Sequence, residues 1–139
     1  MKKALSIVDA ARSNIGVRYT FGGRSPKTGF DCSGLVYWSY EQAGIILPRR
    51  SRDLLKFGIK VDDKSQLQPG DIVVFKRTGG RTGWHSGIYS GNGKFIHSPH
   101  NGKTVTESML DQAYYAKRYV GARRIPCDYP RDGSNSLDR

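Results

Sequence analysis

Apolar residues recur at helical spacing in the first half of the chain and form strand-like runs in the second half. In the first half, apolar positions three or four apart predict helices over residues 4–14 and 32–43. A third helix is predicted over residues 52–57, with Ser51 as its N-cap and Gly58 after its last turn. The apolar positions that define the first helix are Leu5, Val8, Ala11 and Ile15, and those of the second are Leu35, Val36 and Tyr40.

The second half of the chain is dominated by predicted strands. Residues 72–75 form a continuous apolar run, which predicts a central strand. Residues 84–89 and 94–98 flank Ser90-Gly91-Asn92-Gly93, a combination that is typical of a β-hairpin. The remaining predicted elements are a turn at residues 67–71, a break at residues 78–81, a helix over residues 109–116 and a strand over residues 119–125.

Because helices come first and a meander of strands follows, the predicted fold class is α+β, with the helices packed on one face of an antiparallel β-sheet. The chain has 139 residues, of which 37% are hydrophobic, and this is enough apolar material for one core. We therefore expect a single domain over residues 1–127 and a polar C-terminal tail over residues 128–139.

The net charge of the chain limits the classes of partner that it is expected to bind. Its net charge is +11, which favours a polyanionic partner such as nucleic acid, an anionic membrane face or an anionic cell-wall polymer. The basic residues are dispersed and no nucleic-acid-binding motif accompanies them, so we expect a solvated basic surface or a surface that binds an anionic wall polymer. No apolar run is long enough to span a membrane. Asp9 and Arg12 interrupt the N-terminal apolar stretch, so no Sec signal peptide is visible. We therefore expect either delivery by another route or a trimmed mature chain.

Cys32 is the candidate nucleophile. Asp31 is a suitable N-cap, which places Cys32 in the first turn of its helix, where the helix dipole favours the reactive thiolate. Gly34 is expected to leave room for a substrate, and the backbone N–H of Cys32 to stabilise an oxyanion. The alternative is a thiol that only fills the core. Cys127 is expected to be a lone thiol beyond the last strand, because two distant cysteines do not form a disulfide framework.

Two histidines lie downstream in strand-like segments. Alternation places His85 and Gly87 on one face, where the glycine is expected to leave an open surface. We interpret His85 as the general base for Cys32 and His97 as the residue that orients its ring. His100 and Asn101 are alternatives for the orienting role, and a histidine without function is the alternative for His85. Metal-ligand types are too few and scattered for zinc, so we expect neither a metal nor a cofactor.

Six short motifs follow one another in order: Tyr19-Thr20-Phe21-Gly22-Gly23, Phe30-Asp31-Cys32-Ser33-Gly34-Leu35-Val36, Leu47-Pro48-Arg49, residues 67–75, residues 85–93 and Phe95-Ile96-His97. Together they resemble the NlpC family of the NlpC/P60 superfamily, which contains bacterial cell-wall cysteine peptidases. The resemblance runs from about residue 5 to residue 125.

This resemblance implies a papain-like α+β fold and an activity. The implied reaction is hydrolysis of an amide bond in the peptidoglycan stem peptide, most often between D-glutamate and the diamino acid at position three. The implied catalytic residues are Cys32 as nucleophile, His85 as base and His97 as orienting residue. The implied partner is the stem peptide, and the implied site of action is the bacterial cell wall or periplasm.

The resemblance also implies a substrate-binding set. In relatives that cleave beside a free N-terminal L-alanine, the residues that match Tyr19, Asp31 and Ser33 hold its amine. A carboxylate beside the nucleophile suits this role, because it can pair with an ammonium group. Two positions depart from the family pattern: Ser86 replaces the usual valine, and residues 54–56 lack a common glutamine, which affects the substrate preference.

Two other functions are compatible with the same residues. One is an amidase or acyltransferase that uses the thiol on another amide or ester. The other is a non-catalytic basic module that binds an anionic cell-wall polymer. We expect a monomer, and we expect a cognate immunity protein if the chain is a secreted toxin. The residues do not distinguish a toxin from a phage lysin or a housekeeping hydrolase.

Overall fold

The computed structural model describes residues 2–77 and 83–126 of the chain. The predicted break at 78–81, Cys127 and the predicted tail at 128–139 lie outside the described residues. The elements follow in the order α1 (Lys2–Arg12), β1 (Arg24–Ser25), β2 (Gly29–Phe30), α2 (Cys32–Glu41), α3 (Ser51–Leu54), β3 (Ile59–Val61), a 3-10 turn (Lys64–Gln66), β4 (Ile72–Lys76), β5 (Trp84–Gly91), β6 (Lys94–His97), β7 (Thr106–Met109), α4 (Ala113–Arg118) and β8 (Tyr119–Arg124).

A six-stranded sheet with the order β3-β8-β4-β5-β6-β7 organises the fold, and every neighbouring pair is antiparallel. The predicted central strand is confirmed as β4, which lies between β8 and β5. The predicted hairpin is confirmed as β5 and β6. Asn92 and Gly93 have φ values of 54° and 74° in its turn, as a type I′ turn requires.

The two faces of the sheet carry different cores because side chains alternate along each strand. On one face, Ile72, Val74 and Ile88 belong to the cluster that also contains the buried side of α1, α2 and α3. On the other face, Phe75 packs against Tyr115 of α4, with ring centroids 5.4 Å apart. The prediction that the helices share one face therefore holds for the first three helices, whereas α4 lies on the opposite face.

The first predicted helix, over residues 4–14, needs correction at its ends and in its buried face, because α1 spans Lys2–Arg12. In α1 the buried residues are Ile7, Val8 and Ala11, whereas Leu5 and Ile15 are each 46% exposed.

No helix in the described residues is long and apolar enough to cross a membrane.

The third predicted helix is shorter than expected. The observed helix, α3, begins at Ser51, ends at Leu54, and follows Arg50 with no side-chain cap. Ser51 is not the N-cap, because its hydroxyl is turned inward and lies 2.7 Å from the hydroxyl of Ser86.

The predicted helix over residues 109–116 is wrong at its start. Met109 ends strand β7, and the helix begins only at Ala113. Strand β7 is polar and lies at the edge of the sheet, where it pairs with β6 through the backbone. Its side chains therefore carry no alternating apolar pattern that would predict a strand.

Candidate active site

A cleft of about 530 Å³ lies beside the N-terminus of α2. Cys32 is the first residue of α2 and lines this cleft. Trp84, at the start of β5, lines the same cleft. The elements that meet here are therefore the helix with the predicted nucleophile and the strand with the predicted base.

Asp31 fixes the start of α2, and its predicted role as N-cap is confirmed. Its Oδ1 accepts a hydrogen bond from Gly34 N–H at 2.7 Å, and its Oδ2 accepts one from Gly22 N–H at 2.9 Å. A Cβ at Gly34 would lie 2.0 Å from the carbonyl oxygen of Gly23. The expectation that Gly34 leaves room for a substrate is therefore wrong, because the backbone of the preceding turn fills that space.

The thiol of Cys32 is free and contacts two neighbouring elements. Its Sγ lies 3.4 Å from the hydroxyl of Ser51 and 3.9 Å from the carbonyl oxygen of Trp84. Ser51 is a site residue, whereas its sequence context predicts only a helix cap. Its position two residues after the Leu47-Pro48-Arg49 motif is the signal that would have indicated a role in the site.

His85 and His97 are completely buried and contact each other. His85 Nε2 lies 2.7 Å from His97 Nδ1, and His97 Nε2 lies 2.9 Å from the hydroxyl of Ser108. His100 is exposed, and its Nδ1 lies 3.0 Å from the carbonyl oxygen of Asn101. The structure thus brings His85 and His97 together and leaves His100 and Asn101 outside this chain of hydrogen bonds.

Gly87 allows His97 to approach His85. A Cβ at Gly87 would lie 2.9 Å from both the carbonyl oxygen of Ile96 and the ring of Phe95, and 3.1 Å from the Cβ of His97. The expectation of an open surface beside His85 is therefore wrong. The His97 side chain and the Phe95 ring fill this position, so only glycine fits there without a shift.

Arg77 is a site residue that the sequence pattern did not reveal. Its Nη2 lies 2.9 Å from His85 Nδ1 and also donates to the carbonyl oxygen of Pro99. A guanidinium can only donate, so His85 Nδ1 is an acceptor and the ring proton is on Nε2. That proton is donated to His97 Nδ1, and the His97 Nε2–H is donated to Ser108.

Both imidazoles are held in the neutral form. Burial lowers the pKa of His85 well below its ordinary value, and electrostatic repulsion of its protonated form by His97, Arg77 and His100 lowers it further. Burial, followed by the charges of Arg77 and His100, lowers the pKa of His97 to about 3. A neutral imidazole is the form that can accept a proton.

The predicted nucleophile and base are neighbours without being paired. Both ring nitrogens of His85 are occupied, one by Arg77 and the other by His97. Trp84, whose carbonyl oxygen contacts the thiol of Cys32, directly precedes His85. Within the described part of the chain, no hydrogen bond joins this thiol to the His85 ring.

The three predicted amine-binding residues line the same cleft as Cys32. Two of them already bind Arg49. Its Nη1 lies 3.0 Å from Asp31 Oδ1 and donates to the hydroxyl of Ser33 at 2.7 Å. An ammonium group at this position would therefore share Asp31 and Ser33 with Arg49, beside Tyr19.

Comparisons with known proteins identify relatives of the chain. A sequence profile of the NlpC/P60 family matches residues 16–124. The murein DD-endopeptidase MepH of Escherichia coli (strain K12) is 44% identical over 114 residues, which cover 80% of this chain and 42% of MepH. The gamma-DL-glutamyl hydrolase of Bacillus subtilis (strain 168) is 38% identical over 124 residues, which cover 88% of this chain and 30% of that protein. The chain thus spans less than half the length of these two relatives.

Solved structures share the fold. An NlpC/P60 family protein from Bacillus cereus ATCC 10987 has a TM-score of 0.80 and 35% identity, with 88% of this chain and 40% of that chain covered. The NlpC/p60 domain of the peptidoglycan hydrolase SagA has a TM-score of 0.73 and 31% identity, with 88% of this chain and 98% of that chain covered. The α+β, papain-like architecture predicted from the sequence is confirmed.

Proposed function

Because the chain belongs to the NlpC/P60 family, we propose that it is a cysteine endopeptidase that hydrolyses the peptidoglycan stem peptide in the cell wall or periplasm. The bond that we propose is the amide between D-glutamate and the diamino acid at position three. The observation that carries the proposal is the free thiol of Cys32 at a helix N-terminus, in a cleft beside the buried pair of His85 and His97.

In the proposed mechanism, His85 receives the thiol proton of Cys32 on Nδ1, and the thiolate attacks the carbonyl carbon of the amide. The Nε2–H of His85 continues to donate to His97, which keeps the ring oriented and stabilises the imidazolium. The negative charge that develops on the carbonyl oxygen is stabilised by the backbone N–H of Cys32 at the start of α2.

Collapse of this intermediate breaks the carbon–nitrogen bond. The proton on His85 passes to the leaving amine, and the acyl group remains on Cys32 as a thioester. Water then attacks the thioester while His85 accepts a proton from it and returns that proton to the thiol. In sum, one amide and one water become one carboxylic acid and one amine.

The test is mass spectrometry of purified muropeptides after incubation with the protein and with Cys32→Ala. We expect cleavage between D-glutamate and the diamino acid, its loss in Cys32→Ala, and a decrease of at least about 100-fold in His85→Ala. His100→Ala is the matched control, because this histidine is exposed and outside the hydrogen-bonded chain. Cleavage that persists in folded Cys32→Ala would contradict the proposal.

The amide bond between two D-amino-acid centres in a peptidoglycan cross-link is a second candidate for the bond that is cleaved. Two of the relatives, MepH and MepS of Escherichia coli, are named murein DD-endopeptidases. The bonds from Arg49 to Asp31 and Ser33 support this candidate, because a cross-link substrate does not require a free terminal amine. Conversion of cross-linked dimers to intact monomers would support it over the D-glutamyl bond.

A result with no cleaved stem peptide would favour the remaining alternatives. Release of another amide or ester product that depends on Cys32 would support an amidase or acyltransferase. Salt-sensitive binding to a cell-wall polymer that is unchanged in Cys32→Ala would support a non-catalytic basic module.

A further inference from the structure

Arg77 occupies the nitrogen of His85 that has to receive the thiol proton. The other ring nitrogen, Nε2, is used by His97. Nδ1 accepts a hydrogen bond from Arg77 Nη2 at 2.9 Å. Because a guanidinium stays protonated and cannot accept a proton, the lone pair of Nδ1 is engaged as long as this contact lasts.

Arg77 also borders the cleft that contains Cys32. Its Nη2 is held by His85 and by the carbonyl oxygen of Pro99. Its Nε is buried and has no hydrogen-bond partner in the structure of the described residues. A buried N–H without a partner is costly, so this side chain would gain from an anionic partner.

The charge of the cleft favours such a partner. Asp31, which lines it, is already paired with Arg49 at 3.0 Å. Arg50 and Arg52 also line the cleft, and both contact Asp53, at 3.1 and 3.8 Å. A guanidinium binds a carboxylate through two parallel hydrogen bonds, which makes a carboxylate the anion that matches this lining.

We propose that Arg77 blocks His85 in the free protein and that a carboxylate of the substrate draws it off the ring, so that the base becomes available only when the substrate is bound. This inference rests on the proposed roles of Cys32 and His85. Arg77 is a positioning residue, because it acts on the reaction through His85. The substrates that it selects are stem peptides with a free carboxylate near the scissile bond.

The proton balance explains why His85 Nδ1 cannot bind Arg77 and receive the proton of Cys32 at the same time. When the guanidinium has moved to the carboxylate, the proton of Cys32 passes to His85 Nδ1 and leaves a thiolate and an imidazolium. The positive charge of Arg77 disfavours this imidazolium while the two groups touch. Once a carboxylate neutralises the guanidinium, that repulsion decreases.

Other groups around His85 do not replace Arg77 in this role. His97 faces Nε2, and the ring of Tyr115 stacks on the imidazole with centroids 6.3 Å apart. His100 is exposed in the following loop, where its ring contacts the carbonyl oxygen of Asn101. Among the described residues, Arg77 is the hydrogen-bond partner of Nδ1.

The test is the rate at which iodoacetamide alkylates Cys32, followed on its own peptide by mass spectrometry so that Cys127 does not contribute. We expect Arg77→Met to raise this rate about tenfold or more near pH 6.5, because the thiol can then pass its proton to Nδ1. Loss of a positive charge alone would disfavour the thiolate, so an increase isolates the release of His85. Lys60→Met, which removes one charge at the exposed strand β3, should leave the rate unchanged.

A second measurement adds small ligands to the unmodified protein. N-acetyl-D-glutamic acid γ-methylamide offers a free carboxylate, and its α-amide is the matched neutral compound. We expect the acid to accelerate alkylation of Cys32 and the amide not to, and we expect Arg77→Met to respond to neither. Equal effects of the acid and the amide, or a folded Arg77→Met that reacts no faster than the unmodified protein, would overturn the proposal.

This experiment separates the inference from the proposed function. Alkylation needs no turnover, so failure to cleave muropeptides would not alter its result. Conversely, cleavage that depends on Cys32, together with alkylation that is indifferent to Arg77, would leave the proposed endopeptidase intact and remove only the role of Arg77.

Discussion

The hydroxyls of Ser51 and Ser86 lie 2.7 Å apart in the buried interface between α3 and β5. Ser51 is also 3.4 Å from the thiol of Cys32. A hydroxyl can donate one hydrogen bond and accept others, so the two serines satisfy each other where water is excluded. The buried hydroxyl of Ser86 therefore depends on Ser51.

We predict that Ser51→Ala lowers the free energy of unfolding by about 1–3 kcal/mol, because it leaves the buried hydroxyl of Ser86 without its partner. The double variant Ser51→Ala/Ser86→Ala should cost less than the sum of the two single variants. Urea denaturation of the four proteins measures this coupling. Costs that add within about 0.5 kcal/mol would contradict a shared hydrogen bond.

We predict that the free energy of unfolding decreases as the pH is lowered from about 7.5 to about 5. Imidazoles of the unfolded chain protonate near pH 6.5, whereas His97 in the folded protein stays neutral down to a pKa of about 3. The unfolded state therefore binds more protons within this window, and the decrease is roughly 2 kcal/mol per buried ring at about pH 5.

Urea denaturation at the two pH values measures the decrease. His97→Gln should lose less stability on acidification than the unmodified protein, whatever its stability at about pH 7.5. Asn101→Ala is the control and should follow the unmodified protein, because Asn101 is exposed and its side chain has no titratable group. The same pH dependence in His97→Gln and in the unmodified protein would exclude His97 as a source of the effect.

We predict that Asp31→Asn raises the KM for a stem peptide with a free N-terminal L-alanine by roughly tenfold, through loss of a charged partner for its amine. The KM for the N-acetylated peptide should change much less. Asp63→Asn is the matched control, because Asp63 also caps a helical turn through its side chain but lies outside the lining of the cleft. An equal rise in KM for both peptides would show that Asp31 acts only through its role in the fold.

We predict that Asp71→Ala lowers the free energy of unfolding by about 3 kcal/mol. Both oxygens of Asp71 accept hydrogen bonds from Arg124, at 2.9 and 2.8 Å, and the carboxylate is 3% exposed. The Lys60–Asp62 pair is exposed and 3.8 Å apart, so Asp62→Ala should cause no measurable loss. Similar losses in the two variants would show that burial of Asp71 does not strengthen its pair.

Local chemistry explains which elements could be predicted from the sequence. The start of α2 was predictable because Asp31 accepts from the N–H of its own first turn. The hairpin was predictable because Asn92 and Gly93 both adopt a positive φ, which few residues tolerate. Strands β3 and β7 were not predictable, because short edge strands are held by backbone pairing and need no apolar pattern.

Contacts between distant segments explain which features of the site could not be predicted from the sequence. Arg77 follows a strand without any local motif, and only the fold brings it to His85. The sequence marks Gly34 and Gly87 as unusual, but it does not show what fills the space of a missing Cβ. In both cases it is protein: the Gly23 backbone beside Gly34, and the Ile96 carbonyl oxygen, the Phe95 ring and the His97 Cβ beside Gly87.

The type I′ turn at Asn92 and Gly93 has a consequence for how this chain can vary. The turn lies at one end of the hairpin and the two histidines lie at the other end. Ile88 pairs with Ile96 between the turn and the histidines. A shift of one residue in this pairing would turn His97 to the other face of the sheet, away from His85. The turn should therefore accept exchanges of residue type more readily than changes of length, since its length aligns two imidazoles that it never touches.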